Sequence, residues 1–155
     1  VYSYQEEGFN FTNPQIFNFL FSYQKGLFLY TPLFLVALFG LLQIYQASKF
    51  KFFSIVSFLA FVIYIMQSWW CWFYGGSFST RVFVEILPLF ALLLGIALKS
   101  ISGWRFKGYV TLIIAIIILC QIQTLQYRYY EIHWAHMTKE KYWDVFFRVD
   151  RLLDK

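Results

Sequence analysis

Charge is scarce in this chain: only 14% of its 155 residues are Asp, Glu, Lys or Arg, where ordinary soluble domains carry about 25%. Basic residues outnumber acidic ones, 13 to 8, for a formal net charge of +5. They sit in short runs between apolar stretches and build no single patch, which argues against a nucleic-acid surface. Cysteine is almost missing as well. Cys71 falls beside a predicted helix end and Cys120 inside a predicted span, so a disulfide between them is not expected, and neither has metal-ligand spacing. The two histidines, in EIHWAH (residues 131–136), form an i, i+3 pair beside Glu131. That is a poor zinc signal without a third firm ligand, so no metal is expected. The sequence contains no Ser/His/Asp triad, phosphate-binding loop or dinucleotide fingerprint, and no cofactor motif is evident. Internal repeats and low-complexity linkers are absent too.

What fills the chain is apolar surface. Hydrophobic residues make up 60%, aromatics 25%, and the mean hydropathy is +0.56. A chain this short has too little interior to hide so much apolar area, and lipid is the natural place for it. Four segments, 27–46, 52–70, 82–99 and 108–126, approach the ~20 residues that cross ~30 Å of hydrocarbon. Buried strands are shorter and barrel strands alternate, and neither pattern fits. The expected fold is an all-α membrane protein, a bundle of about four transmembrane helices with flanking interfacial helices. The expected organisation is an extramembrane or interfacial segment over 1–26, the transmembrane region over 27–126 with a loop at 71–81, and an amphipathic tail over 127–155. The sequence opens on Val1, and VYSYQEEGFNFTNPQ has no signal-peptide pattern. It reads as a C-terminal fragment of a longer protein.

Finer expectations follow. Pro32 lies near the start of the first span, where it merely tilts the first turn, and Pro88 kinks the third beside Glu85. Asn13-Pro14 reads as a helix start, with Ile16, Phe17, Leu20 and Phe21 on one face. Thr138 reads as the cap of a tail helix that aligns Tyr142, Phe146, Val149 and Leu153. The turns at 47–51 and 101–107 carry Lys49, Lys51, Arg105 and Lys107, with Lys99 at the adjoining helix end. The loop between them carries only Arg81, and the N-terminal segment only Lys25. The positive-inside rule puts the basic turns in the cytoplasm and the loop outside, although the basic tail pulls the other way.

The densest constellation is SWWCWFYGGSFSTRVFVE, residues 68–85. Trp69, Trp70, Trp72 and Tyr74 form an aromatic cluster at a membrane boundary. Gly75 and Gly76 open backbone conformations that could turn N–H groups toward an anion, helped by Ser77 and Ser79. Arg81 falls in the first turn of the third span, and its guanidinium suits phosphate or carboxylate. The competing reading is plainer: a Gly-Gly-Ser turn, interfacial anchors, and an Arg81–Glu85 pair that neutralises itself. Glu85 is the one acidic residue within a span, where such residues are costly.

Three stretches together resemble a known group. SYQKGLFLYTPLFLVALFGL, WWCWFYGGSFSTRVFVEILPLFALLLG and IHWAHMTKEKYWDVF are similar to the C-terminal part of polytopic bacterial membrane proteins of the dolichyl-phosphate-mannose mannosyltransferase-like, GT-C type, especially Bacteroidetes forms. The resemblance implies an inverting glycosyltransferase that takes polyprenyl-phosphate-linked sugar at the outer face of the inner membrane. It implies a catalytic carboxylate in a first outer loop that these residues do not include; Glu6 and Glu7 follow a stretch unlike that motif. Gly75, Gly76, Ser77 and Arg81 stand at matching positions, while Thr80 replaces a frequent Gly before the Arg. On this reading Arg81 holds the lipid phosphate, and Trp69, Trp72 and Tyr74 pack on sugar or isoprenoid. A non-catalytic transporter or flippase for lipid-linked glycans, in which Glu85 and Pro88 matter more, and a plain membrane scaffold are the alternatives. Membrane lipids are the partners expected in every case.

Overall fold

A computed structural model describes residues 7–153, so Glu6 and Lys155 lie outside it. Among the described residues every regular element is helical, and the one extended pairing is an isolated antiparallel bridge between Phe9 and Trp69. The elements in order are α1 (Ile16–Phe21), α2 (Leu27–Tyr30), α3 (Leu33–Leu38), α4 (Gly40–Ala47), α5 (Lys49–Gln67), a 3-10 helix (Arg81–Ile86), α6 (Leu87–Lys99), α7 (Trp104–Arg128), α8 (Lys139–Val145) and α9 (Asp150–Leu153).

Three helices are long and apolar enough to cross a membrane: Lys49–Gln67, Arg81–Lys99 and Trp104–Arg128, of 19, 19 and 25 residues. At about 1.5 Å per α residue and 2.0 Å per 3-10 residue the two shorter ones reach roughly 28 to 32 Å, close to the hydrocarbon thickness. Their outward faces are apolar, with Phe50, Phe53 and Phe61 exposed on α5 and Ile114, Ile117 and Ile118 on α7. A helix that is apolar all round cannot settle in water, and lipid satisfies it.

The segment 27–46 is not one helix. Thr31, at φ −138° and ψ 66°, leaves the helical region directly before Pro32, because the proline ring crowds the residue that precedes it. The break isolates α2 from the apolar helical stretch Leu33–Ala47. That stretch of 15 residues extends about 22 Å, short of a full crossing. Pro88 acts differently from the expected kink. It occupies the first turn of α6, and the chain before it winds as a 3-10 helix. The bond that proline cannot make becomes a change of helix type at a position where no N–H is needed.

Boundaries elsewhere shift for identifiable reasons. The second span stops at Gln67, and Ser68 closes it. The chain beyond leaves the helix to pair with the N-terminal segment: Asn10 N donates to Ser68 O at 2.6 Å and Trp70 N to Gly8 O at 3.0 Å. Asn13 does not cap α1. The helix begins at Ile16 behind Gln15, with no side-chain cap. Thr138 does cap α8, accepting from Lys141 N at 3.3 Å. The tail then bends at Phe147, φ 59°, so Phe146 and Val149 do not continue one helical face. Arg151 pairs with Asp144 across this bend at 2.8 Å, and Arg148 pairs with Asp150 beyond it at 2.9 Å.

Two buried clusters hold the molecule. The first lies between α3, α4, α5 and α6 around Phe34, Leu59, Phe83, Phe90 and Leu93. Phe34 and Phe90 meet edge to face with centroids 4.4 Å apart. α4 and α6 approach so closely at Gly40 that a Cβ there would stand 2.1 Å from the carbonyl oxygen of Leu93. The second cluster docks the tail, burying Tyr30, Ile132, Met137, Tyr142 and Val145 together. Gln126 Nε2 donates to Val145 O at 2.6 Å and Gln123 Nε2 to the Tyr142 hydroxyl at 2.9 Å. The tail therefore covers the same end of the bundle as the loop between α5 and the 3-10 helix.

Candidate functional site

The loop is organised around Lys25. A tight turn presents this residue: Gly26 N donates to Ser22 O at 2.8 Å, and a Cβ on Gly26 would fall 2.5 Å from that same oxygen. Glycine is therefore required next to the lysine. Lys25 is fully buried. Its Nζ donates to Phe73 O at 2.8 Å, to Ser77 Oγ at 2.9 Å and to Gly75 O. The Thr80 hydroxyl donates to the Lys25 carbonyl oxygen at 3.3 Å. One residue thus ties both limbs of the loop.

Among the described residues no carboxylate pairs with this ammonium, and the sequence has no acidic residue from Gly8 to Val84. Carbonyl dipoles and a hydroxyl hold the charge instead. Burial pushes the Lys25 pKa down from 10.5 to about 8; the Cys71 thiol works against that fall and the Arg81 charge adds to it.

Gly75 and Ser77, singled out in the sequence, serve this cation. Gly75 adopts φ 70° and turns its carbonyl to Lys25, and Ser77 contributes its hydroxyl. Tyr74 and Ser79 also adopt positive φ, 49° each, an uncommon conformation outside glycine that costs energy and clusters at functional sites. The Tyr74 hydroxyl donates to Met66 O at 2.6 Å, and burial raises that phenol's pKa to about 12. Trp69 packs edge-on against Phe9 and Trp72 against Phe73, at 4.8 and 5.9 Å. These aromatics brace the loop against the end of α5 and the N-terminal segment. Gly76 lies under the Trp134 indole, with Phe73 stacked on the same ring at 6.2 Å.

Arg81 stands apart from this network. It opens the 3-10 helix, it is exposed, and among the described residues its guanidinium has no hydrogen-bond or ion-pair partner. The expected pair with Glu85 does not form. A 3-10 helix has three residues per turn, so positions i and i+4 point about 120° apart. Arg81 borders a cleft of about 220 Å³ walled by Leu27, Phe78, Phe83 and Val84. Thr31, Phe34 and Leu87 are shared with a neighbouring apolar cleft of about 200 Å³ that continues to Ala37 and Leu94. Together they form an apolar groove along α3 and α6 with a cation at its mouth. Ser79, also on its rim, has a buried hydroxyl oxygen without a partner among the described residues. Glu85 is exposed on the 3-10 helix, also without an ion pair among the described residues.

Two features lie outside the residues picked from the sequence. Lys25 is one. Its signal is an isolated lysine just before an apolar run with no acidic residue in reach, though periodicity alone assigns it no partner. The other is a cleft of about 230 Å³ lined by Tyr127, Arg128, Tyr130, His133 and Trp134. His133 Nδ1 accepts from the backbone N–H groups of Ala135 and His136, at 3.0 and 3.3 Å, so this nitrogen shapes the turn. Trp134 links this cleft to the Gly-rich loop. No family model matches the chain, and neither curated proteins nor solved structures show a significant match to it.

Proposed function

We propose that this chain is the C-terminal membrane region of a glycosyltransferase that uses polyprenyl-phosphate-linked sugar at the outer face of a bacterial inner membrane. The observation that carries the reading is Arg81, an unpaired guanidinium at the mouth of an apolar groove on a membrane-spanning element. A polyprenyl phosphate has the matching form, an anion on a long hydrocarbon. The guanidinium fork grips two phosphate oxygens, and the groove takes the first isoprene units. The exposed sugar then faces the Trp134 cleft, whose indole packs on the loop and which Arg128 also lines. The chain's share of the work is holding and orienting the donor.

Arg81→Ala in the full-length protein tests this. Losing a charge-assisted contact of about 1.5–3 kcal/mol lowers glycan transfer roughly ten- to a hundredfold, with protein abundance unchanged. Arg81→Lys recovers only part of the loss, because it keeps the charge without the fork. Wild-type transfer by Arg81→Ala at normal abundance would exclude the phosphate site.

A lipid-linked-glycan flippase is the second reading, favoured by an exposed, unpaired Glu85 on a spanning helix. On that reading Glu85→Gln stops movement of a fluorescent polyprenyl-phosphate glycan across proteoliposomes. On the transferase reading it leaves any such movement unchanged.

A further inference from the structure

At the opposite end of the bundle, α4, the start of α5 and the end of α6 enclose a crevice of about 510 Å³. We propose that this crevice binds one anionic glycerophospholipid, its phosphate between Lys51 and Lys99 and an acyl chain over Ile55, Leu92 and Ile96.

The register of the helices builds the site. Lys51 lies in the first turn of α5, with Ile55 one turn deeper on the same face. Lys99 is the last residue of α6, with Ile96 and Leu92 one and two turns deeper. At 1.5 Å per residue the apolar floor runs about 10 Å below the lysines, which is the arrangement of a headgroup over the top of a chain. Gln43 and Ser100 add polar groups at the rim, the amide and the hydroxyl lying 2.9 Å apart.

Charge singles out the ligand class. The lysines of the crevice are exposed, and neither ammonium has a partner among the described residues. Among the described residues no carboxylate pairs with them, and the only acidic residue from Gly8 to Tyr130 is Glu85, at the far end of the helix that Lys99 closes. Of the 13 basic residues, Lys49, Lys51, Lys99, Arg105 and Lys107 lie at this end, and the other eight are matched by the eight Asp and Glu. This end therefore holds five cations and, among the described residues, no acidic residue. The first turn of α5 holds two lysines and no acidic residue, against the preference of a helix N-terminus for negative charge. A phosphodiester offsets both imbalances, and its chain covers apolar surface that two cations alone leave bare. A zwitterionic headgroup brings its own cation and lacks the net charge the site selects.

The test is native mass spectrometry of the full-length protein released from nanodiscs containing equal phosphatidylglycerol and phosphatidylcholine. The expected result is one preferentially retained phosphatidylglycerol per chain. Lys51→Gln with Lys99→Gln lowers its retention about tenfold or more, while Arg105→Gln with Lys107→Gln on the same face leaves it. Leu92→Trp keeps both lysines but fills the floor, and it too expels the lipid. Equal retention of the two lipids overturns the proposal. So does an equal loss in the Arg105 and Lys107 variant, which shows general surface attraction. Displacement of the bound lipid by millimolar inorganic phosphate also overturns it, because the chain then contributes nothing. None of these outcomes depends on what Arg81 binds.

Discussion

Lys25 reverses the role first given to the Gly-rich loop. Gly75 does open unusual backbone, yet it turns its carbonyl oxygen, beside that of Phe73, toward the protein's own cation. This has a consequence in pH. Its folded-state value of about 8 lies below the 10.5 of an exposed lysine. The unfolded chain therefore binds more protons between those values, so stability rises as pH climbs through that window, and the cost of burying the charge is fully present below it. A lysine-ammonium NMR titration in detergent is expected to show one resonance with a midpoint near 8, absent in Lys25→Met. A midpoint with the other lysines above 10 would mean that the ammonium is solvated. The residues around Arg81 were legible as chemistry but not as geometry. An i, i+4 pairing assumes an α-helix, and nothing in RVFVE announces a 3-10 turn.

At the scale of elements, long apolar runs were easy to read. The helices Lys49–Gln67 and Trp104–Arg128 fall within a few residues of the expected spans, since lipid rewards apolar length above any other sequence detail. What could not be read were the places where tertiary partners or proline steric demands decide. Trp69 and Trp70 look like a helix end, but they pair with a segment sixty residues earlier. Thr31 looks like mid-helix, and Pro32 expels it from the helical region. Gly40 carries the element-scale prediction. Gly40→Ala drives a methyl into the Leu93 carbonyl, and because both sides are backbone, α4 and α6 must separate. We expect a loss of about 1–3 kcal/mol, the usual cost of overpacking, read as a lower Tm in detergent. Gly95→Ala is the control: it lies exposed on α6 with nothing within 4 Å of the added atom. It is expected to be neutral or slightly stabilising by helix propensity.

The molecule as a whole is electrically lopsided. Its uncompensated cations gather at the turns that close α4, α6 and the start of α7, while the loop, tail and N-terminal segment share the opposite end. Internal ion pairs such as Arg151–Asp144 and Arg148–Asp150 blunt the basic tail, the feature that pulled against the expected orientation. With Cys71 and Cys120 replaced by serine, a cysteine at Lys107 is expected to react with a membrane-impermeant maleimide only after cells are permeabilised. A cysteine at Lys139 is expected to react in intact cells. The reverse pattern would invert the orientation and remove the outer-face reading with it.

The docked tail carries a consequence for traffic into the groove. Ile132, Tyr142 and Val145 pack against Tyr30, and Trp134 roofs Gly76, so the tail and the loop cover this end of the bundle. The groove beside Arg81 instead runs along the flanks of α3 and α6, past the exposed Val84 and Leu87. On the proposed reading, a polyprenyl phosphate reaches this groove sideways, by diffusion confined to the plane of the bilayer. Its encounter rate then depends on how many copies share the leaflet, and concentration in the surrounding aqueous phase has no bearing on it.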